Sequence, residues 1–219
     1  MDDVKSPTRS PSEILFGSLL VYAPQGTSTE SVQSQQVARH IKNSRASHVE
    51  RVGLRIAEQI ETGMFGDLLG TQVTLVPVPR SSPTVEHMHW PALRICSELE
   101  KRGLCKSVER LLERHTSVAK SALVNKGAKR PSPADHEASL RCLNELVPAP
   151  ASITLVDDVV TRGSTLLGCA WTLAARFPDV PIRALAVIRT MSKQEITNIL
   201  SPIESGRIYL RRDQPRREP

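Results

Sequence analysis

The chain reads as an α/β protein with a mostly parallel sheet flanked by helices and an irregular basic loop region. Three observations carry that reading. Short β-branched and apolar runs alternate with helical patterns, the order produced by successive strand–helix crossovers. One such run, Ile153 to Val156, is β-branched and apolar but for Thr154, as suits a parallel strand buried on both faces. The 219 residues are also enough for a sizeable core in a single domain.

Taken in order, residues 1–13 are polar and rich in Pro and Ser, and are expected to be disordered. Ile14 to Ala23 is a short apolar run and reads as a first strand. It lacks a basic leader and is too short to span a bilayer, so neither a signal peptide nor a membrane anchor is expected. Pro24 to Glu30, rich in Gly, Ser and Thr, reads as a loop. His48 to Ile60 has helical spacing, with Val49, Val52, Ile56 and Ile60 on one side. A strand is expected over Val73 to Val78, a helix over Pro91 to Lys101, and a strand over Ile153 to Val156. A helix over Thr165 to Phe177 and a strand over Ile182 to Val187 follow.

The penultimate element should bury Leu166, Leu167, Ala170, Leu173 and Ala174. Gly168 within it costs about 1 kcal/mol relative to Ala, which close helix packing would account for. Lys106 to Pro150 is the least regular stretch, with Pro131 and Pro133 breaking any helix. The expected organisation is a disordered segment 1–13, an α/β domain 14–205 and a basic tail 206–219.

The chemistry concentrates in residues 153–165. The apolar strand ends in two acids, Asp157 and Asp158. Two valines follow, then a polar turn, Thr161-Arg162-Gly163-Ser164-Thr165, that opens a helix. Ligands in open α/β sheets sit beyond the carboxyl ends of the strands. Gly163 permits a positive φ and a close backbone approach. The helix N-terminus presents N–H groups and a favourable dipole to an anion. Hydroxyls of Thr161, Ser164 and Thr165 add donors, while carboxylates accept hydrogen bonds from hydroxyl groups. A ligand bearing both a phosphate and vicinal hydroxyls, a ribose 5-phosphate, fits that pattern. The turn is neither a Walker loop nor a dinucleotide turn, since both glycine signatures are missing. The plainer alternative is a buried strand with solvated acids and an ordinarily capped helix. The joint occurrence of acids, turn and helix weighs against it.

The stretch from Ile153 to Thr165 resembles the PRPP-binding motif of type I phosphoribosyltransferases: an apolar strand, two acids, two apolar residues, then Thr-x-Gly-x-Thr/Ser. Upstream, Leu75-Val76-Pro77-Val78-Pro79-Arg80-Ser81 resembles the pyrophosphate loop of the ComF-like, amidophosphoribosyltransferase-related subgroup. The likeness covers roughly Val73 to Arg189. It implies that Asp157 and Asp158 hold the ribose hydroxyls and position Mg²⁺ through the ligand, with no direct protein cage for the metal. It implies further that Thr161 to Thr165 hold the 5′-phosphate and that Arg80 and Ser81 meet the pyrophosphate.

Two positions depart from the family pattern. Arg162 stands where members usually have Thr, and either reaches a phosphate or points to solvent. Thr161 stands where purine-salvage members often have Asp; Thr cannot act as a base near neutral pH, so purine salvage is disfavoured.

Net charge +6 and a pI near 9.4 imply anionic partners. Within Lys106 to Pro150, Arg110, Arg114, Lys120, Lys126, Lys129, Arg130 and Arg141 read either as a solvated connector or as a mobile hood over bound PRPP. Loops of this length favour the hood. The tail adds Arg207, Arg211, Arg212, Arg216 and Arg217. It reads as a disordered end, with nonspecific grip on nucleic acid as the alternative. Aromatic residues make up only 3% of the chain, which argues against a stacking platform for single strands.

His87, His115 and His136 fit surface or hydrogen-bonding roles better than catalysis, and His87 with His89 lacks further metal ligands. Cys96, Cys105, Cys142 and Cys169 show no Cys-x-x-Cys spacing and are expected to be free thiols in a cytoplasmic protein. The resulting expectation is transfer of a phosphoribosyl group from PRPP to an unidentified nitrogen nucleophile, with release of pyrophosphate. The alternative is a noncatalytic PRPP or nucleotide sensor, or an interaction protein in DNA uptake or handling, since ComF-like proteins are associated with those processes. Family analogy also implies a homodimer or a protein partner.

Overall fold

The computed structural model describes residues 10–83, 89–118, 130–143, 148–192 and 194–219. The expected disorder of the first nine residues, and the expectations for His87, Lys120, Lys126 and Lys129, lie outside the described residues.

The scaffold is one seven-stranded sheet. Its strands are β1 (Glu13–Tyr22), β2 (Gly70–Pro77), β3 (Cys105–Val108), β6 (Ser152–Val160), β7 (Ile182–Thr190), β8 (Leu200–Arg211) and β9 (Gln214–Glu218). Their spatial order is β3-β2-β6-β7-β1-β8-β9. The first five in that order run parallel, and β8 and β9 close the other edge antiparallel. A two-stranded ribbon of β4 (Leu112–Arg114) and β5 (Leu140–Cys142) stands apart.

Helices cover both faces, as a parallel sheet requires. On one side α5 (Ser164–Arg176) buries Leu166, Leu167, Ala170 and Leu173 against Ile153, Leu155, Ala184 and Ala186. On the other, α1 (Thr29–Lys42), α2 (Ala46–Glu61) and α3 (Pro91–Lys101) pack Ile41, Val52, Ile56, Ile95 and Leu99 over Leu75, Val156, Leu185 and Val187. Leu155 and Val156 thus belong to opposite faces, the period-two alternation of a strand buried on both sides.

The predicted α/β architecture stands, and α3 has the predicted limits. Three expectations change. The strand bearing the motif runs on to Val160, so Asp157 and Asp158 lie inside it: Asp157 pairs with Ala186 and Val160 with Arg189 of β7. Pro133 does not break a helix but opens α4 (Pro133–Ala138), where its missing N–H is harmless and a Ser132–Asp135 capping box holds the start.

The third change concerns the tail, which is a hairpin rather than a disordered end. Gly206 to Arg211 continue β8, pairing with β1, and β9 folds back through a two-residue turn at Arg212 (φ 49°) and Asp213 (φ 58°). Such turns favour Asn-Gly or Asp-Gly, so Arg-Asp gave no hairpin signal. Helix α1 was likewise illegible, because its buried positions include Ser31 and Ser34 as well as Ala38 and Ile41.

Candidate functional site

Four neighbouring parallel strands, β2, β6, β7 and β1, send their carboxyl ends to one side of the sheet. The residues there line two cavities, in the crevice that open α/β sheets offer to ligands. The smaller, about 170 Å³, is walled by Arg80 and Ser81 after β2, Asp157 and Asp158 of β6, Thr165 of α5, and Trp90 and His136. The larger, about 830 Å³, takes Thr161 and Arg162 from the turn, with Lys42, Arg130, Thr190 and Arg217. The expected site residues are therefore divided between two cavities. Gly163 and Ser164 lie at the N-terminus of α5 itself.

The acids are electrostatically strained. Asp157 Oδ1 accepts the Asp158 backbone N–H at 2.9 Å. Burial, and then the neighbouring Asp158 carboxylate, hold Asp157 well above the usual carboxylate range, with Lys42 opposing. A cation or hydroxyl donors would relieve that strain. Among the described residues no cluster of three or more acids, histidines or cysteines forms a metal cage. Two carboxylates beside a metal held chiefly by a ligand's oxygens and water is a setting Mg²⁺ accepts.

The turn takes the conformation that Gly163 permits. Gly163 has φ 89°, and no side chain caps the α5 N-terminus. An ideal Cβ on Gly163 would fall 2.3 Å from Ile208 Cγ2, so this turn is pressed against β8. Gly168 meets a similar constraint one turn on. A Cβ there would fall 2.6 Å from His136 Cβ and 2.7 Å from the Pro133 carbonyl, so the glycine lets α4 lie close on α5, bearing out the packing expected of it.

The loop after β2 is held from beneath by Arg114, which is 1% exposed rather than solvated. Its guanidinium donates to the Arg80 carbonyl and to Ser139 Oγ. Ser139 Oγ in turn donates to the His136 carbonyl at 2.6 Å, and the Val118 N–H donates to the Ser81 carbonyl at 2.8 Å. Trp90 Nε1 donates to the Val78 carbonyl at 2.8 Å, and Arg80 donates to the His89 carbonyl. Arg141, by contrast, pairs with Glu113 at 2.5 Å on the outer face of the β4–β5 ribbon. Arg114→Lys keeps the charge but cannot span the same carbonyl and hydroxyl. We expect a loss of about 1–2 kcal/mol in urea denaturation.

His136 is buried, which leaves the hydrogen-bonding role of the two expected for it. Its Nε2 lies 3.4 Å from Thr165 Oγ1, and its Nδ1 is buried without a hydrogen-bond partner. Burial and the nearby Arg114 push it down to about 4, so it is neutral near pH 7. Because the unfolded chain takes up this proton near pH 6.5, acid favours unfolding between about 6.5 and 4 and adds nothing further below. Stability measured across that window should fall less steeply with acid in His136→Gln than in the wild type.

Trp90, Lys42 and Thr190 were not expected here from the sequence, and His136 and Arg217 were assigned other roles. Thr190 alone carried a signal, since it ends the strand adjacent to the motif strand. The four cysteines are free, as expected. No helix among the described residues is long and apolar enough to cross a membrane.

No family model matches the chain, and no curated protein matches it. Among solved structures it is similar to a hypoxanthine phosphoribosyltransferase from Staphylococcus aureus. The identity is 13% and the TM-score 0.34, over 72% of this chain and 68% of that one. So loose a superposition adds nothing to what the sheet itself shows.

Proposed function

We propose that the chain binds PRPP, or a closely related ribose phosphate, and transfers its phosphoribosyl group to a nitrogen nucleophile. The observation carrying this reading is the smaller cavity, where Asp157, Asp158 and Thr165 share one space with Arg80 and Ser81 although nearly eighty positions separate the two segments.

In this reading the two carboxylates accept hydrogen bonds from the ribose hydroxyls. The α5 N-terminus, with Thr161, Arg162, Gly163, Ser164 and Thr165, holds the 5′-phosphate. Arg80 and Ser81 bind the pyrophosphate. Arg80 is kept in reach because Arg114 and Trp90 fix the backbone that carries it. The acceptor's nitrogen lone pair forms the new bond to the anomeric carbon as the carbon–oxygen bond to pyrophosphate breaks. Pyrophosphate leaves with the electron pair, and the nitrogen's proton passes to solvent. Mg²⁺, bound with PRPP beside Asp157 and Asp158, would supply charge neutralisation for the departing pyrophosphate.

The test is calorimetric titration of the full chain with PRPP and Mg²⁺, followed by an assay for released pyrophosphate across nitrogen acceptors. Binding with turnover supports transfer. Binding without turnover against any acceptor reduces the reading to a sensor, and absence of binding removes it.

A further inference from the structure

The larger cavity has a chemistry of its own. Four cations from separate parts of the chain line it: Lys42 at the end of α1, Arg130 ahead of α4, Arg162 in the motif turn and Arg217 in β9. No carboxylate lines it among the described residues. Like charges brought together this way repel one another unless an anion lies between them.

Two residues that line the cavity each carry a buried donor without a hydrogen-bond partner, Thr190 Oγ1 and Arg217 Nη1. Thr190 is only 8% exposed. Arg217 is not free to turn elsewhere. Its Nε donates to the Thr161 carbonyl at 2.9 Å and its Nη2 to the Thr190 carbonyl at 2.7 Å, leaving Nη1 over. Buried polar groups are ordinarily satisfied, so a pair of unmet donors beside a set of cations marks a place prepared for an acceptor-rich group. Tyr22, Val159 and Met191 supply apolar wall in the same cavity.

We propose that this cavity binds a second, anionic small molecule, namely the phosphate or carboxylate end of the acceptor. The inference rests on the reading that the acidic cavity takes the ribose. Because Thr161 and Arg162 face this cavity while Asp157, Asp158 and Thr165 face the other, the motif forms a border between the two ligands. With Arg162 shared with the 5′-phosphate, an acceptor lacking negative charge would leave Arg130 and Arg217 without an anion in this cavity and Lys42 with only the neighbouring Asp157. The nucleophile is therefore drawn from anionic molecules with a flat or apolar body.

Phenyl phosphate, benzoate and phenol serve as probes, titrated calorimetrically into the full chain with and without saturating Mg²⁺–PRPP. Phenyl phosphate or benzoate should bind at least tenfold more tightly than phenol, and PRPP should not displace the bound anion. Lys42→Gln should weaken the anion at least threefold. Thr190→Val should weaken it at least fivefold without lowering thermal stability, because valine removes an unsatisfied hydroxyl while keeping the shape. PRPP affinity should stay within threefold of wild type in Thr190→Val. Equal binding of phenol, displacement of the anion by PRPP, or anion binding indifferent to both substitutions would overturn the proposal. Failure of PRPP to bind would instead remove the ribose-phosphate reading, while the anion titrations would still report on this cavity.

Discussion

Replacing both acids, as Asp157→Asn/Asp158→Asn, is expected to abolish PRPP binding while making the protein more resistant to heat. The two effects have one cause. In the folded chain Asp157 is held above its ordinary range by burial and by Asp158, so each increment of pH through that range favours the unfolded state, where the carboxyl ionises freely. The contribution is most favourable below the unfolded value and is lost as pH rises. At neutral pH Asp157 is therefore a net cost to folding. Asparagine removes the charge and the repulsion, and the melting temperature should rise. The same change weakens acceptors toward the ribose hydroxyls and removes the charge that draws Mg²⁺ to that end of the ligand. Charged hydrogen bonds contribute roughly 1.5–3 kcal/mol each, so two together imply a loss of about 100-fold or more in affinity. Calorimetry and thermal unfolding of the same preparation measure both halves. Affinity within a few-fold of wild type would remove these acids from the site.

Gly163→Ala carries the largest expected loss of stability. Its φ of 89° is open to glycine and strained for alanine, and the added methyl would meet Ile208 Cγ2 at 2.3 Å. Ile208 is fully buried on β8, and the atom in question is fixed close to its backbone, so it cannot swing aside as the end of a long side chain would. The left-handed conformation and the forced contact together imply roughly 3–4 kcal/mol, read as a shift in the denaturation midpoint. Adding Ile208→Ala should recover the steric part and leave the conformational part. A single substitution costing no more than an exposed-loop glycine would show that the turn can move away from β8 without penalty.

These three residues also show how far the sequence could be read. Asp157, Asp158 and the Gly163 turn were visible because their signals are local. An apolar run, a pair of acids and a glycine before a helical pattern occupy thirteen consecutive positions, and glycine is the residue free to take a positive φ there. That Gly163 also has to make room for Ile208, forty-five positions later in the chain, was not visible. Nor was the end of the motif strand. Asp157 and Asp158 look like a strand terminus because acids seldom continue one, yet pairing with Ala186 and Ile188 of β7 carries the strand to Val160.

Arg114 and Arg217 were misread for a related reason. Arginine in a basic, proline-punctuated stretch, or near a chain end, ordinarily stays in water. Whether it is buried depends on carbonyls elsewhere that need donors. Arg114 finds those of Arg80 and the Ser139 hydroxyl, and Arg217 those of Thr161 and Thr190.

The sequence by itself determined the α/β class, the main run of strands and helices, and the acid-and-glycine motif. Hydrophobic period and backbone sterics act over a few residues and leave their trace there. Only the tertiary structure decided that Arg80, His136 and Thr165 share a cavity, and that the basic end of the chain becomes a hairpin. The same holds for Lys42, Thr190 and Arg217, which it gathers beside the motif turn. Those outcomes depend on which strands pair and which buried donors meet which acceptors. Such contacts join residues tens to hundreds of positions apart, and no local pattern records them.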